Sequence, residues 1–294
     1  MTLATIDEFV CVAHAGAIEA KAALLCASIR HLLGEEANVT VAVPEPQLHW
    51  GAPSAQAYAL FERLGATVIP ISNPISLEYP YGNKIGALAS IDKPVAFLDS
   101  DMMLVRPLRT HWALQCVDAA LKYADIDTFQ RGGGNWRRVY SLFGCDLPDY
   151  RVRATDTQEI MFPYYNAGFI WVRNGSQFTE VWSDTARQIE DCVSITNKRP
   201  WLDQIALPVA LTRLGWSVSA VPDALNFPGH IRGGAEHNPY ILHYHDAANI
   251  LNFASATRVL RECLAAFAEL EPVLSQNGEW SALLSQLEEA QIPA

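Results

Sequence analysis

The sequence is poor in charged residues, which make up 18% of its 294 positions, and the charge that it carries is mostly negative. Lys and Arg number 21 against 32 Asp and Glu, which gives a formal net charge of −11. Binding to a nucleic-acid backbone or to an anionic lipid surface depends on clustered Lys and Arg, so both functions are disfavoured. A disordered chain is also disfavoured, because 50% of the residues are hydrophobic and can form a large core.

Long apolar runs and cysteine motifs are missing too. The best uncharged stretches, 64–77 and 160–172, are too short to span a bilayer. The first residues, Met1–Glu8, include no Lys or Arg and precede the first apolar run. A signal peptide begins with a basic segment, so this composition argues against one. The six cysteines show no CxxC pair and no zinc-ligand spacing, so they are interpreted as reduced, small hydrophobic residues. We therefore expect no transmembrane segment and a cytoplasmic location.

Strand and helix signals alternate over residues 8–99. An apolar run at Glu8–His14 precedes an Ala- and Leu-rich helix at Ala17–Leu33, and the alternation continues with strands at 39–43, 67–71 and 94–98 and helices at 53–64 and 83–90. This pattern predicts an α/β fold with a mostly parallel central sheet and helices on both faces. Ligands of such sheets bind beyond the carboxyl ends of the strands, where His14 and Asp99 lie.

The second half of the chain is less regular. The glycine-rich stretch Gln130–Arg138 has no periodicity and is predicted to be a mobile loop. Further elements are predicted as strands at 166–172 and 240–244, helices at 177–192 and at 201–214 with an interruption at Pro208, and two amphipathic helices over 255–291. We therefore predict one main domain over 1–254 and a helical extension over 255–294, whose helices offer a surface for oligomerisation.

The sharpest local feature is the segment Val95–Leu104, in which an apolar strand ends in two carboxylates, Asp99 and Asp101, separated by Ser100. Mg²⁺ and Mn²⁺ prefer hard oxygen ligands of this kind. Loop carboxylates also form turn and cap hydrogen bonds, and this alternative stays open. The apolar run before Asp99, at the fourth strand of an alternating sheet, favours the metal site.

Two classes of enzyme place an acidic pair at a strand end. Phosphatases of the haloacid-dehalogenase type carry it on the first strand, with Thr or Val two residues after the second Asp and a second acidic pair later. Here the pair follows the fourth predicted strand, Met103 takes the position of Thr or Val, and no GDxxxD segment follows. Nucleotide-sugar transferases carry a D-x-D after their nucleotide-binding βα units, which is the arrangement in this sequence.

The sequence resembles the GT-A glycosyltransferases, above all the family-eight group of glycogenin and the lipopolysaccharide galactosyltransferases. The matching segments keep the family's order and are FVCVAHAG (9–16), YGNKIGALA (81–89), FLDSDMMLVRPL (97–108), YYNAGFIWVR (164–173), WLDQIALPVAL (201–211) and YILHYHD (240–246). The resemblance implies a Rossmann-like GT-A fold. It also implies transfer of a hexose, with retention of configuration, from a nucleoside-diphosphate sugar, usually a UDP-sugar. The acceptor would be a glycan, a lipid-linked molecule or a small molecule.

The resemblance also assigns roles to residues that bind the donor. His14 would lie beside the nucleotide base or ribose, and Lys84 would meet the ribose or the phosphates. Asn166 would touch the donor sugar or the acceptor, while Asp203 and Gln204 would face the reacting side of the sugar. Ser100 and Gly168 complete the implied nucleotide-sugar site. Structural alternatives stay open: an interior histidine for His14, a surface charge for Lys84, a turn residue for Asn166 and a helix N-cap for Asp203.

For the metal, the resemblance implies Mn²⁺ or Mg²⁺ held by Asp99, Asp101 and His243. His243 and His245 alternate along a predicted strand, so they are expected on opposite faces and only one is expected to reach the metal. The family pattern selects His243, and His245 beside Asp246 is the alternative.

One departure from the family concerns positive charge. In the family, Gly and then Lys-Pro-Trp follow the metal-binding histidine, and that lysine grips the diphosphate; here Tyr-His-Asp follows His243. Candidates for the missing charge are Lys84, Arg106, Arg131, Arg137 and Arg138. We hypothesise that Gln130–Arg138 is a lid whose Trp136 stacks on a sugar, with an ordinary surface loop as the alternative. A non-catalytic nucleotide-sugar-binding protein of the same fold remains a second hypothesis, and a phosphatase a third.

Overall fold

The computed structural model describes residues 6–108, 117–232 and 237–289. Contacts divide the chain into two compact units. The central unit comprises residues 71–97 and 117–223, and the terminal unit comprises residues 7–70, 98–108, 224–232 and 237–289. The domain boundary predicted at residue 254 stays a prediction.

Over residues 8–98 the described strands and helices alternate in the predicted manner, and the later part of the chain is less regular. In chain order they are β1 Glu8–Val12, α1 Ala17–Leu33, β2 Asn38–Glu45, α2 Gln47–Trp50, α3 Ala55–Arg63, β3 Thr67–Ser72, α4 Gly82–Ala87, β4 Val95–Leu98, β5 Met102–Leu104, β6 Ala119–Tyr123, α5 Thr128–Arg131, α6 Trp136–Leu142, β7 Val152–Arg153, β8 Ile160–Met161, β9 Tyr165–Val172, α7 Gly175–Asp191, α8 Leu202–Leu214, β10 Val218–Ala220, β11 Phe227–Pro228, β12 Ile241–His243, α9 Ala254–Ala266, α10 Leu270–Leu274 and α11 Gly278–Glu289. Among these helices, none combines the length and the apolarity that crossing a bilayer requires.

In the terminal unit, the strands β1, β2 and β3 lie side by side. β1 and β2 pair in parallel from Glu8 opposite Asn38 to Val12 opposite Ala42. Helix α1 ends at Gly34, whose φ of 72° is readily adopted only by glycine and whose N–H donates to the Arg30 carbonyl. Parallel pairing of consecutive strands through a helix is the predicted βαβ arrangement.

The C-terminal helices belong to this terminal unit, where α9 and α10 pack against α1. The sequence predicted two helices over 255–291, and the described residues form three, because the chain breaks between Ala266 and Leu270. Pro272 explains the break: proline is tolerated in the first turn of α10, whereas a continuous helix would lose a hydrogen bond and clash there.

In the central unit, the strands lie in the order β10, β6, β9, β4, with β6 parallel to β10 and antiparallel to β9. The α/β class with mostly parallel pairing is thus confirmed.

The interruption predicted in α8 at Pro208 is wrong, because the helix runs through this residue. The neighbours of Pro208 on both sides are buried, so packing of α8 stabilises the helix despite the missing N–H.

The loop predicted over Gln130–Arg138 is confined to residues 132–135 in the structure, and its mobility stays a prediction. Gln130 and Arg131 lie in α5 and residues 136–138 lie in α6. These helices are capped by the side chains of Asp127 and Asn135 through the backbone N–H groups of Gln130 and Arg138. Trp136 is only 2% exposed and packs edge-on against the rings of Phe129 and Tyr164. The indole is therefore a core residue of the central unit and does not present a stacking face for a sugar.

Candidate active site

Asp101, His243 and His245 form a cluster of metal-ligating side chains in the terminal unit. One ligand atom from each lies within 4.8 Å of the others, and the structure describes no other such group. His243 Nε2 is 3.0 Å from Asp101 Oδ1, and His245 Nδ1 is 3.5 Å from Asp101 Oδ2. A carboxylate and two imidazoles that converge in this way can hold a divalent cation.

The backbone brings this cluster together where two antiparallel strands end. β12 pairs with β5, His243 opposite Met102, and the next backbone bond runs from the Tyr244 N–H to the Asp101 carbonyl. Asp101 therefore lies beside the segment that carries both histidines.

The expectation that His243 and His245 face opposite sides is wrong. β12 ends at His243, and His245 adopts a left-handed backbone with φ of 59°. Strict alternation applies only within a strand, so beyond its end the His245 ring turns back to the same side. Lys21 Nζ donates a hydrogen bond to the His245 carbonyl at this bend.

Neighbouring side chains orient the two imidazoles. His243 Nδ1 lies 3.0 Å from the Asn226 side-chain oxygen, and both residues are buried. The bond leaves Nε2 of His243 directed at Asp101. The rings of His243 and His245 stack with centroids 3.9 Å apart, and His230 packs edge-on against His245.

The charge state of Asp101 follows from these neighbours. Burial by itself would raise the pKa of Asp101, but the charge of His243 and hydrogen bonds from both imidazoles outweigh it. They hold the pKa of this carboxyl well below its usual range, so Asp101 is an anion at neutral pH.

The other residues of the D-x-D segment form a turn. Asp99 accepts a hydrogen bond at its carbonyl from the Met102 N–H, and its carboxylate does not join the described cluster of Asp101 with the histidines. The buried Ser100 donates its hydroxyl to the Val12 carbonyl at 2.5 Å. Ser100 thus ties this turn to the carboxyl end of β1.

His14 follows that same end of β1. Its Nδ1 lies 3.1 Å from the Ala15 carbonyl, and its ring is 6.0 Å from the ring of Trp50. Burial lowers the pKa of His14, against smaller opposing effects of the Ala15 hydrogen bond and Glu19. The imidazole is therefore mainly neutral at pH 7, which suits contact with an uncharged base or ribose rather than with phosphate.

In the central unit, the structure pairs Lys84 with Asp203. Lys84 Nζ on α4 is 3.3 Å from Asp203 Oδ2, and both side chains are buried. Tyr79 completes the group: its hydroxyl is 2.8 Å from Asp203 Oδ1 and accepts from the Asp203 N–H. Burial raises the pKa of Tyr79 far above its usual value, and Asp203 adds to the shift. The Asp203 side chain therefore binds Lys84 and Tyr79 instead of capping α8, and Trp201 occupies the N-cap position.

A second buried cluster surrounds Asn166. The amide of Asn166 donates to Asp125 Oδ2 at 3.4 Å and accepts from the Gly168 N–H at 2.8 Å. Asp125 Oδ1 also accepts from Thr155 and is 2.5 Å from Nζ of Lys122, which is 0% exposed. Because these bonds fix both ends of the amide, Asn166 is a rigid hydrogen-bonding group at the start of β9 rather than a turn residue.

The remaining predicted residues have simpler surroundings. Gln204 follows Asp203 on α8 and is half-buried. Arg106 stacks on Tyr240, with its guanidinium carbon 3.9 Å from the ring centroid. In α5 and α6, Arg131 pairs with Glu159 and Arg138 donates to the Ser194 carbonyl.

Sequence reasoning missed several residues of these clusters, namely Lys21, Tyr79, Lys122, Asp125 and Asn226. One signal was present for Lys122, because a lysine inside the apolar strand AALKY requires a buried anionic partner. Asp125, two residues past that strand, was the nearest carboxylate. Asn226 gave no signal, since its partner His243 lies on a distant segment.

The sequence matches the Rhodobacterales glycosyltransferase domain over residues 9–215. Among curated proteins, none matches this sequence. The structure is similar to that of the galactosyltransferase LgtC in complex with donor and acceptor sugar analogues, with a TM-score of 0.53, 15% identity, and coverage of 88% of this chain and 95% of that chain.

A second similar structure is the apo form of the glycosyltransferase GlyE from Streptococcus pneumoniae. The TM-score is 0.50 at 16% identity, and the match covers 92% of this chain and 64% of GlyE. At these identities the two structures show the fold, which is the GT-A fold predicted from the sequence. Since the domain match spans most of the chain, the protein belongs to the Rhodobacterales glycosyltransferase domain family and is a glycosyltransferase with the GT-A fold.

Proposed function

We propose that this glycosyltransferase moves a hexose from a nucleoside-diphosphate sugar, with UDP as the nucleotide, to a glycan, lipid-linked or small-molecule acceptor, with retention of configuration. We propose further that transfer depends on a divalent cation, Mn²⁺ or Mg²⁺. The observation that carries the proposal is the convergence of His243 and His245 on Asp101, the second carboxylate of the D-x-D segment, within 4.8 Å.

The chemistry of these side chains fits a divalent cation. Asp101 supplies an anionic oxygen, and His243 has a ring nitrogen facing it, with His245 as the alternative ligand. Asp99, from the same turn, is proposed as a further ligand. When bound, the cation offsets the negative charge that develops on the departing diphosphate. The net charge of −11 is then no obstacle to a diphosphate ligand, because part of that acidity builds the cation site.

The central-unit clusters are proposed to bind and orient the donor. Lys84 supplies positive charge for the ribose or phosphates, and its ion pair with Asp203 holds its ammonium group in place. Asn166 presents a fixed amide to a sugar hydroxyl. His14 and the Ser100 turn bind the nucleoside, and Gly168, whose N–H donates to the Asn166 side chain, completes the proposed site.

The surroundings of Asp203 favour a binding role over a nucleophilic one. Tyr79 engages one carboxylate oxygen and Lys84 the other, so the carboxylate is stabilised as an anion in a fixed orientation. Gln204 is the second position facing the sugar in this proposal. With the Asp203 carboxylate engaged in this way, retention is assigned to a route in which the leaving phosphate oxygen itself takes the acceptor's proton.

A donor screen tests this function. Thermal shift with a panel of nucleotide sugars, each with and without Mn²⁺, identifies the donor; release of the nucleoside diphosphate is then measured with and without the cation. We expect cation-dependent stabilisation and slow cation-dependent hydrolysis of the donor. Stabilisation without any turnover would support a non-catalytic binding protein, and cleavage of phosphomonoesters would support a phosphatase.

Removal of the hydrogen bond between Asn226 and His243 provides a second test of the metal site. Asn226→Ala is expected to weaken Mn²⁺ binding about 10- to 100-fold, because the bond to Nδ1 fixes the ring that faces Asp101. Isothermal titration calorimetry measures the change, and the exposed Asn252→Ala serves as the matched control. Equal affinities in the two variants would contradict the role of Asn226.

A further inference from the structure

We propose that His243 and His245 both ligate the cation, and that this nitrogen-rich site selects transition-metal ions such as Mn²⁺ and Co²⁺ over Mg²⁺. The inference rests on the proposed function, in which a cation is bound at Asp101. The inference goes beyond that function by assigning a second imidazole to the site and by deriving the metal preference from the two imidazoles.

The distances bring both rings to the same carboxylate. His243 Nε2 lies 3.0 Å from one oxygen of Asp101, and His245 Nδ1 lies 3.5 Å from the other. The rings are inclined by only 22°, so their nitrogens approach the carboxylate from one side. With Asp99, the proposed donor set is two imidazole nitrogens and two carboxylates, and imidazole ligands suit transition-metal ions.

The position of His245 is built into the fold. Its left-handed backbone is uncommon for a residue with a side chain, although histidine adopts it more readily than most. Lys21, on α1, donates to the His245 carbonyl and holds this bend, while His230 packs edge-on against the ring. Backbone strain of this kind concentrates at functional sites, because the surrounding structure must maintain it.

The donor atoms decide the preference among metals. Mg²⁺ binds oxygen ligands and gives up its water reluctantly, so two imidazoles offer it little. For the first-row transition metals, affinity at sites with nitrogen ligands rises from Mn²⁺ to Co²⁺. We therefore expect the order Co²⁺, Mn²⁺, Mg²⁺ from tightest to weakest.

The test uses the full-length protein freed of metal and compares wild type with His245→Asn. Asparagine tolerates the left-handed backbone, so this variant removes the imidazole and keeps the bend. Calorimetric titrations with Co²⁺, Mn²⁺ and Mg²⁺ give the affinities. Pulsed electron paramagnetic resonance of bound Mn²⁺ detects imidazole nitrogens at the metal directly. The matched control is His49→Ala, which alters an exposed histidine of the same unit.

In wild type, Co²⁺ and Mn²⁺ are expected to bind at least about tenfold more tightly than Mg²⁺, with two imidazoles detected. His245→Asn is expected to lose about tenfold or more of the Co²⁺ affinity and to show one imidazole. Metal binding with one imidazole in wild type, equal Mg²⁺ and Mn²⁺ affinities, or unchanged affinities in His245→Asn would each overturn the inference and leave the proposed function intact. A protein that binds none of these ions and transfers sugar without them would overturn the cation dependence itself.

Discussion

Replacing Asp101 by Asn is expected to lower the rate of sugar transfer about a thousandfold or more and to abolish its dependence on Mn²⁺. Asp101 is the anionic member of the cluster, and its two oxygens face His243 and His245. The uncharged amide would remove from the site the negative charge that attracts the cation. A bound metal contributes several kcal/mol of charge stabilisation in such reactions, and a loss of about 4 kcal/mol corresponds to roughly a thousandfold in rate.

Single-turnover rates measured over a range of Mn²⁺ concentrations test this prediction. Asp246→Asn is the matched control, because it removes an exposed carboxylate next to His245 that makes no side-chain cap bond. Near-complete activity with intact Mn²⁺ dependence in Asp101→Asn would show that the cation is held elsewhere. Circular dichroism of both variants establishes that the fold is retained.

Lys122→Met is expected to lower the free energy of unfolding by about 3–5 kcal/mol. The Lys122 side chain is 0% exposed, and its ammonium lies 2.5 Å from Asp125 and 3.7 Å from Asp223. Methionine fills a similar volume but leaves the buried Asp125 carboxylate without its positive partner, and this uncompensated charge is the main cost.

Urea unfolding followed by circular dichroism measures this loss, with Lys93→Met as a matched change at an exposed lysine. The double variant Lys122→Met/Asp125→Asn is expected to regain part of the stability, because both charges are then removed together. A loss below about 1 kcal/mol in Lys122→Met would mean that the ion pair contributes little. Because Asp125 holds the Asn166 amide, the double variant should also raise KM for the donor.

The α/β alternation of the N-terminal part was predictable because each element carries its own local signal. The bounds of α1, Ala17–Leu33, agree with the prediction, since glycine residues flank the helix and its apolar positions recur regularly. The D-x-D turn was predictable for the same reason: an apolar strand and the carboxylates that follow it are neighbours in sequence.

Local signals failed where packing overrides them. The glycines of Gln130–Arg138 indicated a loop over the whole segment, but both ends are helical and Trp136 is buried among aromatic rings that come from separate segments of the central unit. Pro208 indicated a break in α8, yet the buried neighbours keep the helix continuous. Period-two alternation separated His243 from His245, and it ceased to apply where β12 ended.

The sequence by itself determined the fold class, the glycosyltransferase family and the turn that carries Asp99 and Asp101. Each of these follows from residues close together along the chain or from the order of short segments. Only the tertiary structure decided which side chains are partners: Asp101 with His243 and His245, Lys84 with Asp203, and Lys122 with Asp125 and Asp223. Most of these partners lie on distant segments, and the directions of their side chains depend on strand pairing, strand ends and burial, which no local pattern specifies.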